Sequence, residues 1–76
     1  MYYVYFLRDT LQNQTYIGYT EDLKRRIKEH SVKSPELLYY EAYKDERDAR
    51  RRERMLKQRG QGVRWLKHRL KYSLEN

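Results

Sequence analysis

Three groups of residues in this sequence have types and spacings that could do chemistry. The first is a single carboxylate. Ala49 and Leu56 mark the apolar stripe of a helix; with Ala49 at 0° and about 100° per residue, Leu56 falls near 340° and Glu53 near 40°. A carboxylate on a stripe that faces the core needs a cation, a metal ion or water, because burying it unpartnered costs several kcal/mol. An ion pair with one of the many nearby arginines would meet that need as a metal would. The second group is Arg26 and His30, four residues apart on one helix edge, where they can converge on one anion. Arg offers a planar fork for two oxygens, and His an acid, a base or a donor; a surface Arg beside a partly packed His is the structural alternative. The third is Tyr5 and Tyr16, which could pair across a hairpin and present two hydroxyls to one side. Tyrosine more generally fills cores and interfaces with a wet tip, which is the reading for Tyr2, Tyr3, Tyr39, Tyr40 and Tyr43.

These side chains need a small scaffold. The chain has 76 residues, enough for one domain spanning 1–76. Its 18 Lys and Arg against 11 Asp and Glu give a net charge of +7. The excess is concentrated: eleven Lys and Arg lie between Arg47 and Lys71, opposed by Asp48 and Glu53 alone. A phosphate backbone is the commonest partner for such a surface, with a solvated Arg-rich helix face as the alternative. The absence of cysteine excludes a disulfide framework, a thiolate zinc site and a Cys nucleophile. No apolar run approaches the roughly 18 residues of a membrane span, and Met1 to Arg8 lacks the features of a signal peptide. The expectation is a soluble cytoplasmic protein.

The run Tyr2–Leu7 is aromatic and β-branched, a strand signal. Alternation puts Tyr3, Tyr5 and Leu7 on one side and Tyr2, Val4 and Phe6 on the other. Both sides are apolar, so a central strand covered on both faces is expected. Asp9 to Asn13 fits a hairpin loop, and Thr15 to Gly18 a returning strand that Gly18 ends at a tight turn. Thr20 reads as the N-cap of a helix over about residues 21–31, with Leu23 and Ile27 as its buried stripe. Ser34-Pro35 breaks the pattern, and Leu37 to Tyr43 is a third strand. Asp45 caps a second helix over about residues 46–59, which Gly60 and Gly62 stop. Val63, Leu66, Leu70 and Leu74 mark a third helix. The fold class is α+β: a small three-stranded mixed or antiparallel sheet with helices on its faces, in the order β-β-α-β-α-α.

The spacing of the chemical residues resembles a known family. Tyr3-Val4-Tyr5 opens the chain, Tyr16-Ile17-Gly18 follows eleven residues after Tyr5, and Asp22-Leu23-Lys24-Arg25-Arg26 leads to His30. Later come Glu41-Ala42-Tyr43, then Ala49-Arg50-Arg51-Arg52-Glu53 and Lys57. From Tyr2 to about Lys71 this resembles the GIY-YIG nuclease superfamily, nearest to small single-domain bacterial proteins described as endo/excinuclease amino-terminal-domain-like. The resemblance implies a phosphodiesterase site. Tyr5 and Tyr16 match the tyrosines of the two motifs, Arg26 a phosphate-binding arginine, His30 a histidine of one subset, and Glu53 the carboxylate that holds one divalent metal, Mg²⁺ or Mn²⁺. On that reading Arg26 neutralises charge on the non-bridging oxygens, and one tyrosine takes the proton from the attacking water.

The resemblance also implies a nucleic-acid partner, DNA first. Arg50, Arg51 and Arg54 point about 60° or more away from Glu53 on the wheel, so with Lys57 they are expected to hold the substrate backbone beside the site. The chain departs from the family pattern in places. Tyr3 stands where the motif has Gly, Tyr19 where some members have Lys, and the segment from His30 to Leu37 is short, keeping only Lys33 as a basic residue. A supporting C-terminal Asn has no match. These departures motivate a second reading, a non-catalytic nucleic-acid-binding module of the same fold. A third is a protein-interaction role for the Tyr-rich surface.

Overall fold

The computed structural model describes residues 1–29 and 35–75. His30 and Lys33 lie outside the described residues. The elements are β1 (Tyr2–Asp9), β2 (Gln14–Thr20), α1 (Leu23–Glu29), β3 (Pro35–Tyr43), α2 (Glu46–Lys57), a 3₁₀ turn (Gln58–Gly60), α3 (Gln61–Arg69) and α4 (Lys71–Glu75).

The apolar run of β1 takes the centre of the sheet, in strand order β2-β1-β3. Both neighbours run antiparallel to it, which settles the sheet as wholly antiparallel. Val4, Tyr5, Phe6 and Leu7 are all at most 3% exposed, as a strand covered on both faces requires. On one face Val4 and Phe6 pack with Ala49 and Leu56 of α2 and Leu66 of α3. Ile17, Leu38 and Leu70 close this core from its margins. On the other face, α1 brings Leu23 and Ile27 over Tyr3 and Leu37. The register slips between Phe6 and Leu7, where β3 passes from Tyr39 to Leu37. This bulge at Leu38 puts Tyr39 on the α2 core and Leu37 on the α1 side, although residues two apart in a regular strand share a face.

The hairpin closes through Asp9, which is 4% exposed. Its Oδ1 accepts from the Leu11 and Gln12 amides, its carbonyl from the Asn13 amide, and Asn13 takes a positive φ of 56°. Asp45 caps α2 as expected, accepting from the Arg47 amide at 2.8 Å.

Several boundaries differ from the sequence expectation. Strand β2 continues to Thr20, which pairs with Tyr3, so α1 starts only at Leu23. Asp22 does the capping: its Oδ1 accepts from the Arg25 amide, and Thr20 Oγ1 in turn accepts from the Asp22 amide. Gly60 ends the second helical run at φ 71°, but Gly62 is no stop signal. It lies buried inside α3, where a Cβ would fall 2.0 Å from the Leu56 carbonyl oxygen; its missing side chain lets α3 fold back against the end of α2. The third helical stretch also divides at Leu70, leaving α4 as a separate short helix. Arg8 ties α4 to the sheet, donating to Glu36 and to the Leu74 carbonyl.

Candidate active site

Tyr5 pairs with Gly18 across the β1–β2 ladder. Its ring lies so close over that glycine that a Cβ there would meet the Tyr5 hydroxyl oxygen at 2.2 Å and Cζ at 2.3 Å. Gly18 therefore sits within β2 rather than ending it, and does not take a positive φ. It is required for close approach, not for a turn. This fixes the Tyr5 ring over β2, an edge strand, and aims its hydroxyl at α1. There Arg26 Nε donates to the Tyr5 hydroxyl at 3.1 Å. Arg26 remains exposed, so its guanidinium stands at the surface while Tyr5, 3% exposed, is held beneath it.

Tyr16 pairs with Leu7 and shares the sheet face of Tyr5 and Gly18. Its hydroxyl donates to Gln14 Oε1 at 2.9 Å. Tyr19 falls on the opposite face, over α2. Its hydroxyl donates to Glu46 at 2.6 Å, and the Arg50 guanidinium lies 4.6 Å from its ring centroid. Burial and the Glu46 bond push the Tyr19 hydroxyl up to about 12.

Glu53 rises from α2, which packs on the Val4/Phe6 face of the sheet. Its side chain is 21% exposed and accepts from Lys57 Nζ at 3.2 Å. It borders a groove of about 300 Å³ with Arg47, Arg50 and Arg54. The structure thus gathers Tyr5, Gly18 and Arg26 into direct contact, sets Tyr16 on their face, and carries Glu53 on the helix packed against the other. His30 lies outside the described residues.

The arginines of α2 do not act alike. Arg52 turns inward and forks Glu41 at 2.8 and 3.1 Å, and Glu41 also accepts from Tyr39 and Tyr43. Burial pushes the Glu41 carboxyl up, but the bonds from Arg52, Tyr43 and Tyr39 outweigh it and hold it below its usual range. Arg47 is drawn to Asp45, and Arg50 to Glu46. Arg51 and Arg54 are exposed. Arg47 is a member of the groove that sequence spacing did not single out; its helix position beside Arg50 and Arg54 was the available signal.

The profile of the GIY-YIG catalytic domain matches residues 1–67. The chain belongs to the GIY-YIG family. It therefore carries a nuclease-type domain, for which nucleic acid is the substrate class. No curated protein and no solved structure matches the chain. No helix among the described residues is long and apolar enough to cross a membrane.

The family implies a divalent metal, and Glu53 is the residue to test for it. Among the described residues no three of His, Asp and Glu gather into a cage. Mg²⁺ does not need one, since it keeps several waters and binds through one or two carboxylates together with substrate phosphate. The Lys57 contact is no obstacle: it is an i,i+4 pair whose lysine is 54% exposed, and such pairs contribute only about 0.3–0.5 kcal/mol. A half-buried carboxylate with a displaceable partner fits a hard cation bound jointly with substrate.

Proposed function

We propose that this GIY-YIG protein is a divalent-metal-dependent endonuclease that hydrolyses phosphodiester bonds, DNA first, at the β2 edge of the sheet. The observation that carries the reading is the Arg26–Tyr5 hydrogen bond seated on Gly18. It joins the first motif, the second motif and the α1 arginine in one contact. Arg26 commits Nε to Tyr5, which orients the guanidinium plane at the surface so that its outer edge can meet two phosphate oxygens. As charge builds on the non-bridging oxygens, that preorientation costs no reorganisation. Tyr5 and Tyr16 supply two hydroxyls on one face, to accept or relay the proton of the attacking water. The family resemblance assigns His30 to the same chemistry, as a donor or proton carrier.

Glu53 would hold Mg²⁺ or Mn²⁺, with water and substrate oxygens completing the shell. The metal supplies Lewis-acid polarisation of the phosphate and stabilisation of the leaving oxygen. Arg50, Arg54 and Lys57 flank Glu53 and, with Arg51 on the outer face of α2, hold the substrate backbone and raise its local concentration.

The Lys57–Glu53 pair also suits a second reading, a non-catalytic module that binds nucleic acid through the same surface. One panel separates the two. Wild type, Arg26→Ala, Tyr5→Phe and Glu53→Ala are incubated with single-stranded, branched and duplex DNA and with RNA in Mg²⁺ or Mn²⁺. The nuclease reading expects cleavage by wild type and its loss in the variants. Binding that weakens steeply with salt, without cleavage by any form, supports the module.

A further inference from the structure

The cleft between α1 and the sheet has no part in the phosphodiester chemistry above. It has a volume of about 460 Å³, with Tyr3, Leu37 and Tyr40 from the sheet and Leu23, Lys24 and Ile27 from α1 among its walls. Tyr3 and Tyr40 meet edge to face, with centroids 6.0 Å apart. Tyr40 is 51% exposed, which leaves a large part of an aromatic side chain unburied at the cleft. Glu21 and Asp22 complete the lining.

We infer that this cleft accepts an unpaired nucleobase of the strand whose backbone Arg26 engages. This rests on the nuclease reading only for the position of that backbone. Three features choose a base over other occupants. The walls are aromatic and aliphatic, which suits a flat ring; every base has a π-face that stacks on Tyr. The lining carboxylates repel a phosphate but accept hydrogen bonds from exocyclic amino groups of the kind cytosine presents. Proximity is the third: α1 supplies both the cleft wall and Arg26, and Tyr3 lies two residues from Tyr5 on the same face of β1, about 7 Å along the strand. A strand held at Arg26 thus has a base within reach of the cleft. A base inside a duplex is already stacked on its neighbours and cannot enter, so the cleft confers a preference for single-stranded or unpaired nucleotides.

The test is binding of a short single-stranded DNA carrying one 2-aminopurine, measured without divalent metal so that no cleavage intervenes. Wild type should quench the 2-aminopurine fluorescence and bind the single strand more tightly than the matched duplex. Tyr40→Ala should abolish the quenching and weaken single-strand binding by roughly 5- to 100-fold, the range that loss of one base–aromatic stack gives. Tyr40→Phe, which keeps the ring, should retain both. Because Tyr40 is half exposed, circular dichroism should show the alanine variant folded. Quenching and affinity unchanged in Tyr40→Ala, or equal affinity of wild type for duplex and single strand, overturns the inference. The same preparations are then assayed for cleavage in Mg²⁺: quenching without cleavage by wild type removes the nuclease reading and leaves the base cleft standing, whereas cleavage without quenching removes the cleft alone.

Discussion

Gly18→Ala should damage the protein through Tyr5, and the size of the effect follows from the contact. The added Cβ would stand 2.2 Å from the Tyr5 hydroxyl oxygen and 2.3 Å from Cζ, where non-bonded carbons settle at about 3.5–4.0 Å. The ring must therefore move by more than about 1 Å, yet Tyr5 is only 3% exposed and is enclosed on all sides. Overpacking of this kind costs about 1–3 kcal/mol. The displaced hydroxyl also loses the Arg26 hydrogen bond, which contributes about 1 kcal/mol once the exposure of Arg26 is allowed for. The sum, about 2–4 kcal/mol, is a large part of the roughly 4–11 kcal/mol expected for 76 residues. Urea unfolding should show a lower midpoint with an unchanged slope. A double-mutant cycle isolates the cause. In a Tyr5→Leu background the same Gly18→Ala step should be neutral or slightly stabilising, since alanine is better than glycine inside a strand. Additive costs in the cycle would refute the close-approach account of Gly18.

Arg52→Ala should cost about 2–3 kcal/mol, because it strips two charge-assisted hydrogen bonds from the half-buried Glu41, with urea unfolding as the measurement. The carboxyl of Glu41 is held below its usual range in the fold, so its contribution is present above the unfolded value near 4.3 and is lost as pH falls through the folded one; acid unfolding should begin at higher pH in Arg52→Ala than in wild type. The Tyr19 and Tyr43 hydroxyls, pushed up to about 12 by burial and by bonds to Glu46 and Glu41, act in the opposite direction. Their contribution is complete below about 10 and is lost as pH rises towards 12; Tyr39, raised by burial and by its own bond to Glu41, acts in the same direction, and an ultraviolet tyrosinate titration should show a high-pH phase that Glu41→Gln and Glu46→Gln reduce. Arg26→Ala should lower single-turnover cleavage about 100- to 1000-fold, the usual effect of removing one preorganised charge-stabilising donor, while leaving the unfolding free energy from urea titration within about 1 kcal/mol of wild type.

Much of the architecture was legible in residues 2–20. The double-sided apolar run of β1 announced a central strand, and Asp45 followed by the Ala49/Leu56 stripe announced α2. The glycines were harder. A glycine in a sequence signals a turn or a close approach without saying which, and Gly18 and Gly62 are both close approaches, to the Tyr5 ring and to the Leu56 backbone. Only the β1–β2 register and the return of α3 reveal those neighbours. Likewise Arg52 is indistinguishable by composition from the arginines around it; what sets it apart is Glu41, eleven residues away on a strand that the topology brings beneath it. For the chemical residues, helical spacing placed Arg26 and strand alternation placed Tyr5, but their hydrogen bond depends on where α1 crosses the sheet. The aromatic pair of Tyr3 and Tyr40 needed the β1–β3 register, which no local pattern encodes.

Glu53 is proposed to hold a divalent cation for phosphodiester hydrolysis. Single-turnover cleavage of single-stranded DNA, measured against increasing Mg²⁺ or Mn²⁺ for wild type and Glu53→Ala, tests it most directly. Wild type should show no cleavage without metal and a saturable rise with it, whereas Glu53→Ala should show no rise although it stays folded and still binds the strand. Equal metal-dependent cleavage by the two proteins, or none by wild type across the titration, would contradict it.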